Sequence, residues 1–156
     1  MKIGQICLAT PSDEISEQFA SLVEALARHD IEQHVLVASV ALAQRLAACD
    51  SVTVGPVVKS PVMAYCLTPT VDLAHVHEIR SGQAGLLLTL TRSIPFVITT
   101  RANAADSRNP LTRSVLHRAA DTISDINTRP ARQAAAEHLR IYHRAIETWR
   151  GSTLLL

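Results

Sequence analysis

Apolar segments of two lengths alternate along the first part of the chain, and this alternation constrains the fold most strongly. Residues 2–9 form a nearly continuous apolar run, which is typical of a strand buried on both faces. Ile15, Phe19 and Leu22 then recur at helical spacing, and residues 33–39 form a second apolar run. A strand, a helix and another strand in this order require a right-handed parallel crossover. The pattern therefore predicts a parallel α/β protein with residues 2–9 as its central strand.

The same alternation continues to the end of the chain. It predicts further strands at residues 51–58, 62–67, 71–77, 95–100 and 122–126 (the last at a sheet edge), and helices at 41–49, 82–92, 111–120 and 130–151, with a loop at 102–110. This order indicates a doubly wound, mostly parallel, Rossmann-like sheet with a long C-terminal helix packed on it. We expect one Rossmann-like domain over 1–127, its closing helix over 128–150, and an apolar tail over 151–156.

Composition excludes several classes of function. Hydrophobic residues make up 47% of the 156 residues, enough for a proper core, but aromatic residues make up only 3%, too few for a base-stacking platform. The formal net charge of +1 provides no general field for nucleic acid. No apolar run approaches the roughly 20 residues of a membrane span, and the first residues do not resemble a signal peptide. We therefore expect a cytoplasmic protein without a nucleic-acid partner or transmembrane segment.

Cysteine and histidine spacing gives no metal centre. Cys7, Cys49 and Cys66 are odd in number and irregularly spaced, so they form neither a disulfide framework nor a zinc motif. Cys7 and Cys66 lie in strand-like runs and should be buried. His75 and His77 share one face of a strand, but two imidazoles are too few to hold a metal.

The turn after the first strand argues against a bound nucleotide cofactor. Its sequence, Ala9-Thr-Pro-Ser-Asp-Glu, lacks the glycines that let backbone N–H groups approach a phosphate. Asp13 and Glu14 would repel an anion, whereas Ser12 is suited to cap the following helix. No cofactor is therefore predicted.

Polar residues crowd the end of the strand at 71–77, which makes this point the best candidate for a site. His77, Glu78, Arg80, Ser81 and Gly82 lie where that strand passes into a helix opening at Ser81 and Gly82. The carboxyl ends of parallel strands bind ligands, and a helix N-terminus offers free N–H groups. The Arg80 guanidinium and the Ser81 hydroxyl would suit a carboxylate, a phosphate or a sugar hydroxyl as the ligand.

Simpler interpretations remain open for these residues. Ser81 could merely cap the helix, His77 could lie in an exposed loop, and His75 could be a core or sheet-face histidine. Gly82 and Gly85 could let the helix lie close to the sheet.

The next strand ends in a second polar group. Thr100, Arg101 and Asn103 follow it closely, and Arg101 would share a rim with His77 if the two strands are neighbours. No serine or cysteine stands in a nucleophile motif, so no catalytic residue is assigned.

Several segments resemble a known family. Asp72-Leu-Ala-His-Val-His, Gly82-Gln-Ala-Gly-Leu-Leu-Leu-Thr-Leu and Ile94-Pro-Phe-Val-Ile-Thr-Thr are similar to the acceptor-side, N-terminal Rossmann-like domain of family 4 glycosyltransferases of GT-B architecture. Glu24-Ala-Leu-Ala-Arg-His-Asp-Ile-Glu-Gln-His-Val and His117-Arg-Ala-Ala-Asp-Thr-Ile-Ser-Asp also resemble that domain. Ala135-Ala-Glu-His-Leu-Arg-Ile-Tyr-His resembles the family's closing helix, which returns from the donor-binding domain.

The resemblance implies the acceptor-side half of such an enzyme, with the donor-binding domain missing. Sugar transfer from a nucleotide-sugar would then need a partner subunit, and His77, Arg80, Ser81 and Arg101 would line the interdomain face. Two departures weaken this interpretation: Thr10-Pro-Ser-Asp stands in place of the family's Gly-Gly turn, and Arg101 in place of a histidine.

Two alternatives belong to other classes. One is a non-catalytic binding or oligomerisation module that uses Trp149 and Leu154–Leu156, and the other is a small flavodoxin-like enzyme.

Overall fold

The computed structural model describes residues 1–9, 14–100, 121–124 and 131–153. The strands are β1 (Lys2–Cys7), β2 (Glu32–Val37), β3 (Val52–Val54), β4 (Leu73–His77), β5 (Phe96–Thr100) and β6 (Asp121–Ser124). The helices are α1 (Glu14–Ala27), α2 (Val40–Leu46), α3 (Pro61–Leu67), α4 (Ile79–Arg92) and α5 (Ala131–Thr153). The predicted Ser12 cap, the loop at 102–110, the helix at 111–120, Pro130 and the tail at 154–156 lie outside these ranges.

The described strands form one parallel sheet in the order β3-β2-β1-β4-β5-β6. This is the doubly wound, Rossmann-like arrangement that the sequence predicts, with β1 at the centre and β6 at an edge. The chain builds outward from β1 to β3 and then returns to place β4 on the other side of β1. The direction of winding therefore reverses between β1 and β4, and the carboxyl ends of these two strands flank the reversal.

Helices cover both faces of the sheet, which explains why β1 is apolar along its whole length. Ile6 belongs to a core shared with α3 and α4, whereas Ile3 packs with α1 and α5 on the opposite face. Cys7 lies in a third cluster that includes side chains of α1 and α2, and its predicted burial is confirmed. Alternation of side chains along β1 thus supplies both cores.

The helix α5 packs against α1 and the sheet through one stripe, as its helical spacing predicts. Ala135, His138, Tyr142 and Ala145 are buried along this stripe. The helix is predicted to end near Gly151, and α5 ends two residues later, at Thr153. No described glycine has a positive φ, so Gly151 does not adopt the left-handed conformation that ends many helices.

The strand predicted at residues 62–67 is wrong, because this segment is the helix α3. Pro61 occupies its first turn, where the missing N–H costs nothing. Ala64 faces the core, whereas Val62 and Met63 are exposed. Cys66 is also exposed, contrary to the prediction that it is buried.

The contact between α4 and β5 depends on Gly85. A Cβ atom at this position would lie 2.6 Å from Cδ2 of the buried Phe96 ring. The prediction that Gly85 lets the helix approach the sheet is therefore confirmed. Among the described helices, none is both long and apolar enough to cross a membrane.

Candidate functional site

The predicted site residues that the structure describes lie at the carboxyl ends of β4 and β5, which are neighbouring strands. His77 pairs in register with Thr99, so the two strands are neighbours, as the placement of Arg101 beside His77 requires. Thr100 is the last residue of β5. Its side chain, Arg101 and Asn103 lie outside what the structure describes, and whether Arg101 shares a rim with His77 stays a prediction.

Glu78 joins β4 to α4 in an unusual backbone conformation. Its φ and ψ are 78° and 162°, a region that is essentially restricted to glycine. Its N–H donates to the Thr99 carbonyl at 3.1 Å, and its own carbonyl accepts from Gly82 N at 3.1 Å. These bonds hold a strained, half-buried acidic residue at the edge where ligands bind in such sheets.

The strain at Glu78 can be measured with a pair of substitutions. Both Glu78→Gly and Glu78→Ala remove the carboxylate, but only glycine adopts this backbone conformation without strain. We expect Glu78→Gly to be more stable than Glu78→Ala by about 2 kcal/mol in urea unfolding. Equal stability of the two variants would contradict a strained junction.

Ser81 connects α4 to β1 and does not cap the helix. The helix begins at Ile79, two residues before the predicted opening, so Ser81 lies in its first turn. Its fully buried Oγ accepts a hydrogen bond from Leu8 N at 3.0 Å and donates to Glu78 Oε1 at 3.4 Å. The hydroxyl therefore satisfies a buried backbone N–H.

Arg80 and Ser81 do not converge on one ligand position as the sequence suggested. Arg80 is exposed, and its Nη2 donates to the Lys59 carbonyl at 2.6 Å. The guanidinium thus reaches toward the segment before α3, whereas the Ser81 hydroxyl is directed toward β1. Gly82, which follows them, is buried.

His77 lies inside the protein, so its interpretation as an exposed loop residue is wrong. Its Nε2 is 3.1 Å from Gln5 Oε1, and its ring meets Phe19 edge to face with centroids 4.7 Å apart. His75 and His77 share one face as predicted, with ring centroids 3.9 Å apart. In the described part of the chain, no three or more His, Cys, Asp or Glu side chains are arranged to hold a metal ion.

A chain of buried hydrogen bonds continues from His77 into the core. Gln33 Nε2 donates to the Val23 carbonyl at 3.0 Å, and Gln5 Nε2 donates to Gln33 Oε1 at 3.3 Å. Because the Val23 carbonyl can only accept, it fixes the orientation of both amides. Gln5 Oε1 must then accept from His77, so the proton of neutral His77 lies on Nε2.

A second branch of this network reaches α5. The Tyr142 hydroxyl lies 2.6 Å from His75 Nδ1, and His75 Nε2 lies 2.6 Å from Thr99 Oγ1. Hydrogen bonding by Gln5 lowers the pKa of the Tyr142 phenol, a role that the second N–H of its amide can fill. Tyr142 can then donate to His75 Nδ1, and His75 Nε2–H can donate to Thr99. We call the set Gln5, Gln33, His75, His77, Thr99 and Tyr142 the buried network.

Burial keeps the titratable groups of the buried network neutral. Desolvation, with the nearby His77 and His138, holds the pKa of His75 well below its usual range. Desolvation and His138 lower the pKa of His77 from 6.5 to about 3. Burial raises the pKa of the Tyr142 phenol, and the hydrogen bond from Gln5 opposes part of that shift. The network is thus a neutral polar layer at pH 7.

Among the residues that the structure describes here, the accessible polar groups are suited to binding a ligand. The half-buried carboxylate of Glu78 can accept hydrogen bonds, and the exposed Arg80 can donate them, whereas His77 and Ser81 are committed to the interior. Comparison with known proteins assigns no family to the chain, because no protein-family model matches it and no curated protein gives a match.

Proposed function

We propose that this chain is the acceptor-side half of a GT-B-type glycosyltransferase, which binds a sugar at the carboxyl ends of β1 and β4. The observation that carries the proposal is the reversal of winding between these strands, with Glu78 at that position. Ligands of open α/β sheets bind outside the carboxyl ends of strands at such a reversal. The sequence similarity over residues 72–100 supports the same assignment.

The packing of α5 gives further support. This helix follows all the described strands and returns to lie along α1, as the closing helix of the resembled enzymes does. In this proposal Glu78 accepts hydrogen bonds from sugar hydroxyls and Arg80 donates to the ligand or to the partner. Transfer itself needs a nucleotide-sugar-binding subunit, because the described residues provide no cradle for a diphosphate.

The proposal is tested by measuring where sugars bind. In amide-detected NMR titrations with methyl glycosides, UDP-glucose and GDP-mannose, we expect shifts at residues 78–82 and at Thr99. Glu78→Gln should weaken this binding. Glu32→Gln should leave it unchanged, because Glu32 pairs with Lys2 at the amino ends of β1 and β2, away from the proposed site. Absence of any shift at millimolar ligand, both alone and after co-expression with genomic neighbours, would overturn the proposal.

A specific surface favours a second function, a non-catalytic module that associates with another copy of itself. Four exposed apolar side chains follow the carboxyl ends of β2 and β3, and we call them the apolar rim: Val40, Val57, Val62 and Met63. A hydrogen bond of 2.9 Å from Val58 N to the Val37 carbonyl holds the two segments together. Exposed apolar residues are typical of contact surfaces when they cluster, and these four all follow the carboxyl ends of two neighbouring strands.

Self-association through the apolar rim has a direct test. Met63→Glu should weaken any dimer by about tenfold or more, because it buries a charge in an apolar contact. The fold should tolerate this change, since an acidic residue is favourable in the first turn of a helix. Leu90→Glu, on the exposed face near the far end of α4, is the matched control. Light scattering that finds a monomer at all concentrations would exclude this function.

A further inference from the structure

We propose that the buried network is an acid-sensitive anchor that holds α5 on the sheet at neutral pH and releases it on acidification. The inference does not depend on sugar binding or on a partner. It follows from the position of the network, which lies between α5 and the interior of the sheet, and from the burial of its two strand histidines among described groups that carry no negative charge.

The packing of α5 on the sheet combines two buried polar residues with the partly buried Leu139, Ile141 and Ile146. The buried stripe of α5 consists of Ala135, His138, Tyr142 and Ala145, and the two alanines bury little apolar area. Tyr142 is fully buried and is hydrogen-bonded to His75 in the middle of the sheet. The His138 ring lies 5.4 Å from that of His75 and 6.0 Å from that of Tyr142. Changes at His75 therefore act directly on the contact of α5.

The hydrogen-bond polarity opposes protonation of either strand histidine. In the tautomer in which Tyr142 donates to His75 Nδ1, a proton on Nδ1 would force the hydroxyl hydrogen to turn away. The Gln5 side chain also lowers the pKa of the same phenol by hydrogen bonding. His77 already donates from Nε2 and would need a new acceptor at Nδ1. Each added proton therefore disrupts a matched set of donors and acceptors.

The described groups that face the two histidines offer no compensating negative charge. From β1 they meet the neutral Gln5 and the buried Cys7 thiol, from β5 Thr99, and from α1 the Phe19 ring. From α5 they meet His138, whose own charge would repel theirs, and the Tyr142 phenol. Glu137 precedes His138 and lies about 100° away around the helix. A charge on His75, which α5 covers directly, is thus relieved by separating α5 from the sheet, and a charge on His77 is relieved through the loss of repulsion from His138.

The size of the effect follows from proton linkage. His77 binds a proton with a pKa of about 3 in the closed state and near 6.5 when it is exposed. At pH 5 the opening equilibrium should therefore rise by at most about 30-fold relative to pH 7.5 from His77, the full value requiring that release of α5 also exposes the ring to solvent. His75 acts in the same direction.

Hydrogen–deuterium exchange of the full chain, corrected for the intrinsic rate, tests the anchor. Between pH 7.5 and pH 5 we expect peptides from residues 135–149 to lose protection at least tenfold more than peptides of α4, which packs on the opposite face of the sheet. Protection of α5 that does not change with pH, or that falls in step with α4, would overturn the proposal.

Variants assign the effect to the strand histidines. His77→Gln keeps a donor for Gln5 but does not titrate, so the acid-induced loss of α5 protection should shrink by about an order of magnitude. His143→Gln changes an exposed histidine of the same helix and should behave as the wild type.

If His77→Gln does not fold, NMR titration of the histidines in the unmodified chain decides the question. The proposal requires His77 to remain neutral while α5 stays bound. Protonation of His77 above pH 6 with α5 still protected would refute it.

Discussion

Lowering the pH from 7.5 to 4 should reduce the free energy of unfolding by about 3 kcal/mol through His77 alone. The cause is the difference between its pKa of about 3 in the folded protein and 6.5 in the unfolded chain. Desolvation is the main reason for this shift, because the ring is buried between Phe19 and Gln5.

The sign follows from where each state binds the proton. Between pH 6.5 and about 3, the unfolded chain binds a proton at His77 that the folded protein excludes, so stability falls as the pH falls through this window. The contribution of neutral His77 to the free energy of unfolding is fully present above pH 6.5. The lowered pKa of His75 likewise reduces the stability of the fold as the pH falls.

Urea unfolding at a series of pH values measures this effect. The difference in stability between the wild type and His77→Gln should narrow on acidification, because only the wild type gains the proton on unfolding. His143→Gln is the matched control, since its exposed ring should leave the pH profile of the wild type unchanged. Parallel profiles for wild type and His77→Gln would contradict a buried, neutral His77.

Gly85→Val should destabilise the fold by about 3 kcal/mol, at the upper end of the range for overpacked cores. An added Cβ alone would lie 2.6 Å from Cδ2 and 2.9 Å from Cγ of Phe96, and valine adds two further carbons. Phe96 cannot turn away readily, because its ring is buried in the core between α3, α4 and the sheet. The helix or the strand must therefore shift.

Gly151→Val on α5 is the control for the helix propensity of valine. A Cβ atom at Gly151 meets no other atom within 4 Å, so this substitution should change stability by less than about 1 kcal/mol. Thermal or urea unfolding of both variants gives the comparison. Similar stabilities for the two would show that α4 does not approach β5 as closely as described.

The order of elements could be predicted because each buried strand or helix carries its own local pattern. The segment at 62–67 shows where this fails. Six apolar residues fit a buried strand as well as a short helix, and only Pro61 at the start favours the helix. The prediction that Cys66 is buried is wrong for the same reason, because in a helix its exposure depends on which face of α3 packs on the core.

The sequence could place the polar residues of the site near the carboxyl ends of the strands, but it could not assign a role to each of them. The sequence cannot show that the partner of Ser81 is Leu8 N, or that Tyr142 would reach His75. These pairs are separated by 73 and 67 positions in the chain, so they depend on the completed sheet. Gln5 and Gln33 were not predicted at all, because a buried glutamine in a strand has no distinguishing local pattern.

The central position of β1 also has a consequence for synthesis on the ribosome. One side of β1 pairs with β2, which emerges from the ribosome soon after it. The other side pairs with β4, with Ile3 opposite Leu73 and Cys7 opposite His77. Until those later residues have left the exit tunnel, one edge of an apolar strand stays open to other chains. We expect the nascent β1–α1–β2 unit to be the stage at which this protein most needs chaperones.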